Sequence, residues 1–174
     1  MKNKHPYENF PIWVPSLSCL LSLSIYLLGA YIFLQLGTLF SILYLLFCLW
    51  IEFRVLKESC VNCYYYDKVC ALGRGKLCGL LFRKGNTREF VEREISWKSM
   101  LPDFLVFALP LIGGIICLIK DFSGLILLLL VMLTILSFGG NALMRGALAC
   151  KYCKQRELGC PAEQLFSKSR GESK

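Results

Sequence analysis

Residues 16–34 read SLSCLLSLSIYLLGAYIFL, and residues 38–53 read TLFSILYLLFCLWIEF, with only Gln35, Leu36 and Gly37 between them. Neither run contains a charged residue until Glu52. A hydrocarbon layer of roughly 30 Å needs about 20 apolar residues in a helix, because no water is present there to satisfy the backbone. The two runs therefore predict two spanning helices, from about Pro15 to Leu34 and from Thr38 to Trp50 or Phe53. A three-residue link folds them into an antiparallel hairpin.

The same pattern returns later in the chain. LPDFLVFALPLIGGIICLI (101–119) and FSGLILLLLVMLTILSFGGNAL (122–143) are separated by Lys120 and Asp121, which predicts a second hairpin. Composition agrees: 56% of the 174 residues are hydrophobic, 18% are charged, and the mean hydropathy is +0.54. Such values are too apolar for a water-soluble domain of this size. The first run is longer than the roughly 7 to 15 residues of a secretory h-region and no A-x-A-like site follows it, so a spanning helix is expected there and not a signal peptide. The expected fold class is all-α: an integral membrane four-helix bundle made of two tandem transmembrane hairpins.

Charge placement orients the bundle. Of the 20 basic residues, only Lys120 lies on the side of the two tight turns. Basic residues in short loops are retained in the cytoplasm, so both termini and the 54–98 segment are expected there, in a multi-pass protein of the cell membrane. The formal charge of +8 then reflects topology and attraction to anionic lipid headgroups, and nucleic-acid binding is not needed to explain it.

Of the ten cysteines, Cys19, Cys48 and Cys117 fall inside apolar runs, where small packing residues are expected. The other seven fall in the segments expected to face the cytosol. Six of them form one pattern written twice: CVNCYYYDKVC at Cys60, Cys63 and Cys70, and CKYCKQRELGC at Cys150, Cys153 and Cys160. Both read C-x2-C-x6-C, each after a hairpin, with Arg54 before one copy and Arg145 before the other. Each is followed by a Leu-Phe-x-Lys stretch, at Leu81 and at Leu165. This is the signature of a duplicated unit. Units with two spans each enter the membrane in the same sense, and an axis along the membrane normal relates them, which brings the two motifs together.

The chain accordingly divides into a first repeat at 1–85, an interfacial amphipathic helix at 86–100 and a second repeat at 101–174. In the middle segment Asn86 and Glu89 have N-cap and N3 spacing, and apolar residues alternate with charged ones.

A C-x2-C step presents two thiolates to one ion from a tight turn, and two steps supply a tetrahedral set. A reducing cytosol argues for such ligation over structural disulfides. The six matched cysteines are therefore the expected ligands of zinc or an iron–sulfur cluster. Six thiols exceed one tetrahedral ion, and three arrangements remain: three sulfurs per motif plus a fourth ligand, with Cys78 the candidate in the first and no equivalent in the second; the four C-x2-C sulfurs as one site, with the third cysteines forming another or staying reduced; or a cluster shared across the pseudo-twofold. The expected role is structural or partner-binding, with a cytoplasmic protein as partner. A membrane thiol or electron-transfer oxidoreductase and a soft-metal sensor or carrier are the alternatives. The sole histidine is His5, which disfavours histidine-based metal catalysis.

Three smaller expectations complete the reading. Tyr64, Tyr65 and Tyr66 anchor at headgroup level. Gly73 to Leu77 is a basic flexible loop, since it lacks phosphate-loop spacing. Glu52 lies near membrane depth with Arg54 nearby, close enough to the boundary to be solvated, with a functional intramembrane carboxylate as the alternative; Asn141, near the same level of the fourth helix, is its expected counterpart and serves helix packing with Gly139 and Gly140.

Overall fold

With no water to satisfy them, backbone amides in an apolar run must pair within the run, and all four apolar runs are helical in the computed structural model. It describes residues 6–92 and 97–161. Among these there is no strand, and four helices are long and apolar enough to cross a membrane. Helix α1 spans Trp13–Leu36 and α2 spans Thr38–Val55. Two short helices follow, α3 at Arg74–Leu81 and α4 at Thr87–Glu92. The second pair is α5 at Trp97–Lys120 and α6 at Gly124–Thr134, which continues through π-helical stretches at Ile135–Gly140 and Met144–Ala149.

The first hairpin turns on Gly37 alone. Its φ of 143° lies in a region that side chains disfavour, and its amide closes α1 on the carbonyls of Phe33 and Leu34. Between the hairpins, α1 packs on α2, α5 and α6, and α5 packs on α1, α2 and α6. The leading helix of each hairpin thus lies at the centre. Ile32 and Leu133 are fully buried there, with Tyr44, Cys48, Ile51 and Cys117 around them. The buried positions of Cys48 and Cys117 agree with a packing role. Gly29 lets α1 and α2 meet closely, since a methyl group there would sit 2.5 Å from the Tyr44 hydroxyl.

One hydrogen bond in this core follows directly from sequence. Pro110 lies inside α5, has no N–H, and so leaves the carbonyl four residues earlier without its helical partner. That carbonyl belongs to Val106, and the Tyr44 hydroxyl donates to it at 2.9 Å. The hydroxyl of α2 thereby repairs a defect in α5. The outer faces stay apolar and exposed, as at Leu20, Leu49, Ile112 and Ile135, which suits a lipid surface.

Several expected boundaries shift. The second span runs beyond Phe53, because a π-helical turn at Leu56–Cys60 extends α2 and makes Cys60 part of the helix end. The third span starts at Ser99, within a helix described from Trp97, and the described part of the amphipathic segment before it is α4. There the Asn86 side chain accepts from the Arg88 amide at 3.1 Å as an N-cap, while Glu89 accepts from Asn62 instead of closing a capping box. Residues 73–77 form no flexible loop: they open α3, whose inner face is anchored as described below. His5, residues 93–96 and the second Leu-Phe-x-Lys stretch lie outside the described residues.

Candidate metal centre

Each motif begins where a hairpin's second helix ends in a π-helical turn, Leu56–Cys60 before the first and Met144–Ala149 before the second. The backbone then follows one path in both. The amide of Cys63 donates to the Cys60 carbonyl at 3.3 Å, and that of Cys153 to the Cys150 carbonyl at 3.4 Å. Three residues on, the amide of Tyr66 donates to Cys63 and that of Arg156 to Cys153, both at 3.1 Å. Equal spacing has produced equal turns.

The two turns face each other and are fastened reciprocally. The amide of Tyr64 donates to Gln155 Oε1 at 2.8 Å, and the amide of Lys154 donates to the Tyr65 hydroxyl at 3.0 Å. In each bond the residue directly after one motif's second cysteine donates to the side chain two places after the other's.

A strap from the N-terminal segment covers this clasp. Tyr7 donates through its amide to the Tyr152 carbonyl at 3.0 Å and accepts from the Tyr65 hydroxyl at 2.5 Å. Phe10 donates to the Val69 carbonyl, Val69 donates to the Asn9 side chain, and Glu8 pairs with Lys154 at 3.0 Å. Beneath the strap, Phe10, Val14, Tyr65, Ala71, Met144 and Ala149 form a small apolar core against which Cys63, Cys70 and Cys153 pack. Tyr65 is therefore buried, at 3% exposure, and is no headgroup anchor. Tyr66 donates to the Phe82 carbonyl at 2.7 Å, and Tyr64 lies under the Lys68 ammonium at 4.1 Å. Sequence reasoning missed the strap, whose signal was the pair of aromatics Tyr7 and Phe10 ahead of the first span.

In the first motif, α3 completes the scaffold. Gly75 donates through its amide to Cys70 Sγ at 3.2 Å, and Cys78 Sγ, fully buried, contacts the Leu56 carbonyl at 3.6 Å. Gly75 is obligatory, since a Cβ there would collide with the carbonyls of Tyr65 and Lys68. Arg74 reaches across to Glu52, which also accepts from the Tyr26 hydroxyl at 2.5 Å. Burial disfavours the Arg74 charge, but Glu52 outweighs it and holds the guanidinium above its ordinary value. Glu52 is thus paired with Arg74 and Tyr26 instead of standing solvated at the boundary near Arg54. Arg54 instead binds Glu58 at 3.2 Å and the Ser99 carbonyl at 3.0 Å. Asn141 is no counterpart of Glu52: it donates to Ser137 within its own helix. Cys19 is also reassigned. It is exposed and contacts the Leu72 carbonyl at 3.9 Å, so it borders the cysteine end and not the bundle core.

None of the ten cysteines is in a disulfide. Burial pushes the Cys63 thiol up to about 12, and Cys153, Cys70 and Cys160 add to the rise. Burial likewise raises Cys153, with Cys150 and Cys160 contributing, and raises Cys78, with Cys70 contributing. Of the six expected cysteines, Cys63, Cys70 and Cys153 pack against the same small apolar core. Among the described residues, no three His, Cys, Asp or Glu side chains stand close enough together to hold a metal ion.

No protein-family model matches the chain, and neither a curated protein nor a solved structure matches it.

Proposed function

We propose that the chain is a multi-pass membrane protein whose two duplicated units build a cysteine-ligated metal centre, with zinc as its occupant, on the cytoplasmic end of a four-helix bundle. The centre is structural: it locks the two units together and presents a rigid surface to a cytoplasmic protein partner. The reciprocal bonding of Tyr64 with Gln155 and of Lys154 with Tyr65 carries this reading. Two motifs that share a spacing, a backbone path and a self-complementary contact are best explained as copies facing across an axis. The ligands are Cys60, Cys63, Cys70, Cys150, Cys153 and Cys160.

Orientation rests on the basic residues, and the bond between Tyr7 and Tyr152 supports it by holding the N-terminal segment and the second motif at one end. The bundle sits in the cell membrane with both termini inside and its basic rim on anionic headgroups. Thiol electrostatics favours ligation over redox cycling. Reactive cysteines have depressed values that make thiolate available, whereas burial raises Cys63 and Cys153, and a dication reverses that penalty when it binds.

The test is anaerobic purification followed by elemental analysis and a visible spectrum. Stoichiometric, colourless zinc is the expected result. Iron with broad visible absorption would move the reading to an electron-transfer protein, and metal-free, active-thiol protein would overturn it in favour of a thiol oxidoreductase.

A further inference from the structure

Helix α3 has two unlike faces. Gly75 and Cys78 are buried on one side, where Cys78 Sγ lies on the Leu56 carbonyl at 3.6 Å. The opposite side carries Lys76, Leu77 and Leu80, with Leu81 at its edge, and all four are exposed. Leu80 is 83% exposed. Single leucines are ordinary on a protein surface, but three on one side of an eight-residue helix form a patch. The basic residues Arg83 and Lys84 follow where the helix ends, and both are exposed too.

Depth and tilt decide what this patch meets. Glu52 lies fourteen residues beyond Thr38, where α2 begins. That is a rise of about 21 Å, inside a hydrocarbon layer of roughly 30 Å. Arg74, at the start of α3, reaches Glu52, and the Phe82 ring, just past its end, packs edge-on against Phe53 at 5.3 Å. An eight-residue helix is about 12 Å long, yet its two ends meet adjacent residues of α2. Helix α3 therefore lies across α2, near the plane of the membrane and level with that helix's last turns. Phe53 is exposed on the outer face of α2 together with Leu46 and Leu49, so the leucine patch continues a surface already turned to lipid.

We propose that α3 is an interfacial helix that binds anionic lipid. Leu77, Leu80 and Leu81 enter the acyl chains of the adjacent leaflet, while Lys76, Arg83 and Lys84 hold the phosphates of acidic headgroups. An apolar face flanked by basic residues is the composition that such a position favours, and a lysine stem can lie along the apolar layer with its ammonium among the headgroups. In the orientation proposed above this is the cytoplasmic leaflet, whose acidic lipids carry the surface charge. The inference rests on the four spans and not on a metal. It has a consequence for the cysteines: the inner face of the same helix holds Cys78 and, through the Gly75 amide, Cys70, so lipid braces the first motif from outside.

The test is photocross-linking of the full-length protein, made with a diazirine analogue of leucine and reconstituted in phosphatidylcholine vesicles with a minority of phosphatidylglycerol. Trypsin releases residues 77–83, which contain all three leucines of the patch. Lipid adducts are expected on this peptide, with phosphatidylglycerol several-fold above its share of the vesicle. Lys76→Gln/Arg83→Gln/Lys84→Gln should return the adducts on α3 to the mixing ratio while those on α2 stay unchanged. Adducts on α2 but none on 77–83 would overturn the interfacial helix and leave the four spans standing, whereas adducts on neither would overturn both. A phosphatidylglycerol share equal to the mixing ratio in the wild type would overturn the anionic selectivity. Cross-links from 77–83 to a second copy of the chain would overturn the lipid site in favour of a protein interface. The wild-type measurements decide the matter even where the variant fails to fold.

Discussion

The two units carry the same cysteine spacing and the same turns, yet they are supported differently. The first motif is held by its own unit: α3 packs on the Leu56–Cys60 turn, Gly75 lies against the carbonyls of Tyr65 and Lys68, and Arg74 ties α3 to Glu52 in α2. The second motif has a short helix, Lys154–Glu157, and its bonds include those to the first motif and to the N-terminal strap. The helices feeding the motifs differ in the same sense. Helix α2 is regular up to its last turn, whereas α6 gives way to π-helical stretches from Ile135 onward. Equal cysteine spacing thus gives matching turns at the first two cysteines of each motif, while the elements packed around the two turns differ.

That comparison can be broken most severely at Gly75. Gly75→Ala forces a methyl group into two backbone carbonyls and should cost about 3 kcal/mol, read as loss of folded protein in detergent. Gly146→Ala in the second unit meets open space and should be neutral or mildly stabilising. Equal effects at both sites would remove the asymmetry.

Next in size is Glu52→Ala. It leaves Arg74 half-buried without its partner and should cost about 2 kcal/mol, somewhat below the value for a fully buried pair. Asn141→Ala, in the second hairpin, removes a bond within its own helix and should change stability by less than about 0.5 kcal/mol.

Tyr65→Phe tests the dependence of the second motif on the first. It removes the acceptor of the Lys154 amide and the donor to Tyr7, at about 1 to 2 kcal/mol. Hydrogen exchange should show the loosening in the second motif and the strap while the α3 region stays protected. Loosening confined to the first motif would reverse the roles assigned here.

The smallest effect is one of pH. The folded Cys63 value, near 12, lies above the ordinary value of 9.0. The fold therefore favours the neutral thiol, and that contribution is complete below about 9 and lost as the pH climbs toward 12. In metal-free protein, Cys63 should react with iodoacetamide slowly near neutrality and about tenfold faster with each pH unit across this window. Zinc retention should run oppositely and fall with acidification, because ligation requires thiolate. A Cys63 rate that levels off near pH 7 would mark a reactive thiol and break the picture.

Much of this was legible from residue order, for identifiable reasons. Apolar length reports helices because the backbone has no other way to pair in an apolar medium, and C-x2-C spacing reports a tight turn because that geometry is local. The triad of Tyr26, Glu52 and Arg74 was not legible, since Arg54 is nearer to Glu52 in sequence and only folding of the 61–73 loop brings Arg74 across. Tyr65 was misread for a similar reason: a tyrosine after a span suits a headgroup layer until a strap from residues 7–10 covers it. Cys78 stood outside the repeat, and its place beside Cys70 depends on α3.

Sequence by itself determined the four apolar helices, their pairing into hairpins through links too short for any other course, and the recurrence of one cysteine turn. Those features depend on interactions among residues near in the chain. Only the tertiary structure decided that the two turns clasp each other reciprocally, that a strap from residues 7–10 covers them, and that Arg74 reaches Glu52. Those contacts join residues up to ninety or more positions apart, and packing alone selects them.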